Sequence, residues 1–449
     1  MAETHKGFGL LFEMGCGKTL TAIMIAGTAY QMGKVEKVLV VAPTSVCSVW
    51  PKDFAEFADF KANIKVLLGD KNRRLKLLND LDNFPFKALK VAVINYESTW
   101  REGIFDALYE WNADMIICDE SQRIKSHDAE QSKAMHKLGD QAKYKLILSG
   151  TPVQNNAIDL YSQYRFLDPT IFGTNFYQFR NRYAIMGGFN RHQIVGYKDL
   201  DQLIQKEHSI AYRVTKDEAL DLPEQTFLQR YITMSAKEKN IYDRIKRESF
   251  AELESGGQIS ATTVLTKLLR LQQFTGGFLV ADGEEKPELV SKGKLNALEE
   301  IVDDYVVDAG KKLVIFARFR PEIDIIGQML KKKKLRYGEI YGDVKLEYRG
   351  DIVKDFQTNP ETMVFLAQID TAGLGITLTA ADTCVYYSVN FNYAAYSQSL
   401  ARIHRIGQKN ACTYIHLITE GTIDEVVLKA LEKKEDLAKT VVDTWRDYF

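Results

Sequence analysis

Phe12-Glu13-Met14-Gly15-Cys16-Gly17-Lys18-Thr19 places a lysine and a hydroxyl directly behind two glycines. That combination suits a polyphosphate. The N–H groups of a glycine turn and of the helix start behind it can face phosphate oxygens. The Lys18 ammonium would neutralise β- and γ-phosphate charge, and the Thr19 hydroxyl would reach Mg2+. Gly15 and Gly17 read as positions where a Cβ would obstruct the loop. Met14, Gly15, Cys16, Gly17, Lys18, Thr19 and Leu20 are therefore the expected nucleotide cradle, although Phe12 stands where the GxxxxGK[ST] pattern has its first glycine. The plain alternative is a glycine turn with a chance Lys-Thr.

Three further segments bear on the same chemistry. Asp119 and Glu120 end the apolar run Ile116-Ile117-Cys118, about 100 residues beyond Lys18. Asp119 is expected to hold Mg2+, partly through water, and Glu120 to polarise an attacking water. A lone Asp-Glu is commonly a solvated turn, and the pairing with Lys18 reverses that preference. Leu148-Ser149-Gly150-Thr151-Pro152 ends another apolar run in small polar residues, which could be a simple turn. In Gln398–Gln408, Arg402 and Arg405 lie three apart, on one face of an expected helix. Two guanidiniums can stabilise charge on a departing γ-phosphate, whereas a solvated basic face is the usual fate of such pairs. His404 reads as a structural histidine.

These residues need elements to hold them. Short runs rich in Val and Ile, at 8–12, 37–42, 91–95, 114–118 and 145–149, read as strands buried on both faces. Helical patterns such as 20–31 separate them, the order of a doubly wound parallel α/β fold. From Ala157 to about Lys292 the pattern is mostly helical, with turn signals at Gly256-Gly257 and Ala281-Asp282-Gly283. A second series follows, with strands expected at 312–317, 336–341, 363–367, 384–388 and 413–418. The reading is two parallel-sheet lobes: residues 1–225 with a helical extension from about 157, a helical linker over 226–290, and 291–449.

Composition sets outer bounds. A chain of 449 residues exceeds one ordinary core. A formal net charge of −1 means that a phosphate-backbone partner would have to meet a local basic patch. Five singly scattered cysteines give neither a disulfide framework nor a zinc spacing. The longest apolar runs are far below the ~20 residues of a membrane span. The first residues lack the order of a signal peptide, so a cytoplasmic protein is expected, of a bacterial or phage-infected cell by analogy only.

In order and content, these segments resemble the Swi/Snf-type ATPases of the superfamily-two helicases. The likeness extends to Val38–Pro43 with Val49-Trp50-Pro51-Lys52-Asp53-Phe54, Ile94-Asn95-Tyr96-Glu97, Asp119–Lys125, Ser149–Asn156, Tyr212–Lys216, Thr371–Leu378 and His404-Arg405-Ile406-Gly407-Gln408. It implies two RecA-like lobes of the P-loop NTPase fold that bind ATP and Mg2+. By implication, Lys18, Asp119, Glu120, Arg402 and Arg405 are catalytic, with Gln398 near the nucleotide. Gly150 and Thr151 would couple hydrolysis to DNA, and Pro43, Thr44, Gly373 and Gly375 would track its backbone.

The implied activity is ATP-driven movement on DNA, usually duplex, gripped with little sequence preference and without a membrane. A strand-separating DNA or RNA helicase and a non-catalytic ATP-binding DNA scaffold stay open as alternatives. Two departures stand out. Gln122 replaces the family's usual histidine, which puts its coupling role in question. The adenine-reading segment expected some 20 residues before the phosphate loop has no room here, which fits either a truncated product or a start at an internal methionine, and poor discrimination of ATP from GTP is expected.

Overall fold

A computed structural model describes residues 5–154, 156–187, 193–254, 261–280, 287–374 and 376–442. The chain divides into two compact units, Met1–Asp221 with Lys434–Phe449, and Leu222–Lys433.

The first unit is built on β1 (Gly7–Phe12), β2 (Lys37–Ala42), β3 (Ala62–Val66), β4 (Leu89–Asn95), β5 (Met115–Asp119) and β6 (Tyr144–Leu148). An antiparallel hairpin, β7 (Ala184–Gly187) and β8 (Gln193–Tyr197), stands apart from the sheet, and β9 (Ala211–Val214) completes it. The order is β3-β4-β2-β5-β6-β1-β9, parallel throughout. Strand periodicity sends alternate side chains to opposite faces. Leu39 and Val41 therefore join one core with Ile94, Ile116 and Ile147. Val38 and Val40 join the other with Phe8, Leu10, Val93 and Ile117. Helices on both faces cover these cores, so the unbroken apolar runs are what burial on two sides requires. All parallel strands end on one edge, where an α/β sheet places its site.

The second unit carries β10 (Gln225–Ile232), the antiparallel hairpin β11 (Phe278–Val280) and β12 (Pro287–Leu289), β13 (Leu313–Ala317), β14 (Arg336–Ile340), β15 (Thr362–Gln368), β16 (Thr383–Tyr386) and β17 (Cys412–Thr419). Its main sheet runs β10-β17-β16-β13-β15-β14, again all parallel. Both expected α/β lobes are thus present.

The stretch expected to be mostly helical holds more strand than its pattern shows. Helices Leu160–Leu167, Leu200–His208 and Ala236–Glu254 form. β9 and β10 lie in the same region and each closes the edge of a main sheet. β10 is exposed along nearly its whole length, so it lacks the apolar run of a central strand. The turn signals at 256–257 and 281–283 fall outside the described residues. Among the described residues no helix is long and apolar enough to cross a membrane.

Candidate functional site

The loop after β1 leads into α1 (Lys18–Gln31), whose N-cap is Gly17. Gly15 and Gly17 have φ of +90° and +83°. No protein atom lies within 4 Å of a Cβ built on either. Their requirement is therefore the left-handed backbone, and the expected obstruction by a Cβ does not arise from the protein itself. Gly150 is the opposite case. A Cβ there would stand 3.3 Å from the Phe12 carbonyl oxygen and 3.4 Å from the Met14 nitrogen. The end of β6 is packed directly on the loop.

Lys18 Nζ donates to the carbonyls of Phe12 (2.9 Å) and Glu13 (3.2 Å). Desolvation lowers its pKa, opposed by the charges of Glu120 and Asp119. Asp119 is raised to about 7, first by burial and then by the charge of Glu120, against Lys18 and a hydrogen bond from Trp50. The three residues thus share one electrostatic site at the strand ends. Thr19 follows Lys18 in the first turn of α1. Glu120 adopts φ +52°, a left-handed conformation that costs an L-residue with a Cβ about 1–2 kcal/mol. Such strain persists only where the surroundings hold it.

Gln122 supplies part of that hold. Its Nε2 donates to Glu120 Oε2. Its Oε1 accepts from the Ser149 hydroxyl (2.7 Å), whose oxygen accepts from the Thr151 N–H (3.1 Å). Glutamine has both a donor and an acceptor, so it joins the segment at 119–122 to the one at 149–151.

Pro43 is buried and caps the short helix α2 (Thr44–Cys47), and α3 (Trp50–Phe57) follows. Exposed Thr44 donates to Glu97 Oε2 at 3.5 Å. Glu97 also accepts from Asn95 Nδ2 (2.8 Å) and lies 3.7 Å from Arg123.

In the second unit Gln398 is half-buried on the helix Tyr393–Leu400. That helix stops before both arginines. Arg402 and Arg405 lie in the turns that follow, which corrects the helical-face reading of their spacing. They still converge, since an Nη1 of each donates to the Ile376 carbonyl at 3.4 Å. Gln408 explains the irregular backbone. Its Nε2 donates to Ala381 O (2.8 Å) and Ile403 O (3.2 Å), while Oε1 accepts from the Lys409 (2.9 Å) and Asn410 (3.0 Å) N–H groups. These bonds fix a turn where a helix would leave carbonyls unsatisfied. His404 Nε2 bonds the Pro223 carbonyl at 2.8 Å. Gly373 lies in the 3₁₀ turn Ile369–Leu374, and Gly375 is outside the described residues.

The model of the SNF2-related domain matches residues 2–276, more than half of the chain. The chain belongs to the SNF2-related family. The model of the helicase conserved C-terminal domain matches residues 293–407. An uncharacterized ATP-dependent helicase of Mycoplasma genitalium is 26% identical over 98% of this chain. A chromodomain-helicase-DNA-binding protein 1-like of Danio rerio is 27% identical over 99%. The chain spans 40% and 43% of these two relatives' own lengths. A solved SWI2/SNF2 ATPase core of Sulfolobus solfataricus in complex with dsDNA is 26% identical, with a TM-score of 0.44, covering 99% of this chain and 90% of that one.

In this SNF2-related chain, three supporting residues escaped the sequence reading as site residues. Buried Arg213 on β9 donates to Leu11 O (2.9 Å), Gly150 O (3.2 Å) and Glu13 Oε1 (3.0 Å). Glu13 Oε2 accepts from the Lys216 N–H at 2.9 Å. Trp50 Nε1 donates to Asp119 Oδ2 at 3.1 Å. All three lie in segments that the motif or the family likeness had marked, but a residue's type there gave no sign of which atoms it bonds.

Proposed function

We propose that the chain is a DNA-dependent ATPase that couples ATP hydrolysis to movement along duplex DNA. One observation carries this reading: Lys18, on the loop after β1, lies close enough to Asp119 and Glu120, at the end of β5, for their charges to act on it, and its charge acts on Asp119 in turn. A scattered set of surface charges would not do so. The family match and the likeness to the helicase relatives support it.

Lys18 and the N-terminus of α1 bind the triphosphate. Thr19 and Asp119 would hold Mg2+, which would supply positive charge to offset that of the phosphates. The donor set fits that ion. Mg2+ keeps several waters and takes only one or two carboxylates, and a raised carboxylate beside a second one is relieved by a cation. Glu120 orients the attacking water and accepts its proton. Gln122, Ser149 and Thr151 link Glu120 to the segment proposed to report on DNA. Arg402 and Arg405 are proposed to stabilise charge on the departing γ-phosphate, with Gln398 beside the nucleotide. Thr44, Gly373 and Gly375 are proposed to face the DNA backbone, with buried Pro43 capping the helix that carries Thr44, giving little sequence preference and steep salt dependence.

The test is ATPase rate with no nucleic acid, single-stranded DNA, duplex DNA and RNA. Stimulation chiefly by duplex DNA is expected, with triplex displacement and no strand separation. Arg402→Ala should lose ~10³-fold or more in turnover and keep ATP binding. Near-normal turnover in that variant refutes the assignment.

A further inference from the structure

Trp50 begins α3 and is fully buried, with its ring 6.1 Å from that of Phe54. A buried indole N–H needs an acceptor, and a backbone carbonyl would serve packing alone. Here the acceptor is Oδ2 of Asp119, at 3.1 Å. Lys18 and Glu120 act on that carboxylate through charge, and the Glu120 backbone adds a hydrogen bond, so Trp50 is the side chain that grips it by hydrogen bonding. Tyr96 holds the same residue from behind, its hydroxyl donating to the Asp119 main-chain oxygen at 2.8 Å. Rotation about the terminal bond of an aspartate is broad and weakly restrained. Fixing Oδ2 therefore fixes where Oδ1 points.

We propose that Trp50 is a positioning residue for a divalent cation: its indole N–H pins one oxygen of Asp119 so that the other faces the phosphate loop. This rests on the reading of Asp119 as the carboxylate that holds the metal. Partners one step removed from a metal typically change its affinity 10–100-fold when lost. Trp50→Phe keeps an aromatic ring and deletes the donor.

The experiment uses the full chain with ADP, so that nothing turns over. Free Mn2+ is followed by electron paramagnetic resonance as Mn2+ is titrated into wild type and Trp50→Phe. Mn2+ affinity of the ADP complex should weaken about 10-fold, while affinity for metal-free ADP stays within about twofold. Equal Mn2+ affinity in the two proteins, or a parallel loss of metal-free ADP binding, overturns the proposal. A second measurement needs no Trp50 variant. The chain has four tryptophans, and Phe substitutions at the other three leave the Trp50 indole N–H as the single 1H–15N indole resonance. It should move when Mg2+ is added to the ADP complex, and an unmoved resonance overturns the proposal. Failure of wild type to bind Mn2+ with ADP would instead sink the metal reading of Asp119 itself.

Discussion

Arg213→Ala tests whether the phosphate loop is held by its neighbouring strand. The Arg213 side chain is 5% exposed and its partner Glu13 is 32% exposed. Removing one member of a fully buried ion pair costs roughly 3–5 kcal/mol. The half-exposed Glu13 can recover water, which brings the ion-pair part toward ~1–2 kcal/mol. The carbonyls of Leu11 and Gly150 also lose a charged donor, each such bond contributing about 1.5 kcal/mol or more. A net loss of ~4–5 kcal/mol follows. At ~2–4 °C per kcal/mol for a unit of this size, thermal unfolding of the full chain should begin roughly 8–20 °C lower. Affinity for ATP should fall as well, because Glu13 and Gly150 flank Lys18. Arg213→Lys should restore little, since an ammonium cannot reproduce the guanidinium's fixed fork. A double-mutant cycle with Glu13→Gln should give a coupling above about 0.5 kcal/mol. A shift below ~2 °C with unchanged ATP binding would refute the clamp.

Two predictions concern stability alone. Burial holds His416 down to about 4, between the ring of Tyr386 and the hydroxyl of Tyr396. The unfolded chain, with a histidine near 6.5, therefore binds a proton first as pH falls. Stability should be full above about pH 6.5 and fall by ~3 kcal/mol as pH drops toward 4. Urea midpoints at pH 7.5 and 5 should differ more in wild type than in His416→Gln, and an equal difference would exclude His416 as the cause. Lys334 has φ +58° just past the helix Arg320–Lys332. Lys334→Gly should raise stability by ~0.5–1 kcal/mol in thermal melts, since glycine adopts that backbone without strain. A lower melting temperature would contradict it.

The parallel sheets were legible because strands buried on both faces write themselves as apolar runs. Val38–Ala42 and Ile116–Asp119 could be placed almost to the residue. β9 and β10 were not, because a strand paired at a sheet edge can carry Arg213, Gln229 or Arg230 and lose the apolar signature. Lys18, Asp119 and Glu120 were singled out by type and spacing, and they lie within reach of one another's charge. Their supports were not. Nothing local marks Arg213 as a clamp for a loop some 200 residues away, or Trp50 as a donor to Asp119. Arg402 and Arg405 show the reverse failure. Their spacing fits a helix, yet Gln408 satisfies a turn there through long-range carbonyls.

β9 is the last strand before the chain passes into the second unit at Leu222. Tension carried along the backbone from that side enters the first sheet through β9. It meets the parallel pairing of Ala211–Val214 with Gly9–Phe12. A lengthwise pull loads those bonds together in shear, so they share the force and do not unzip one by one. Arg213 sits in the same strand and bonds Leu11 and Glu13, where the loop begins, and Gly150 beside it. Mechanical load would thus be felt at the loop that carries Lys18 before it is felt in the rest of the sheet.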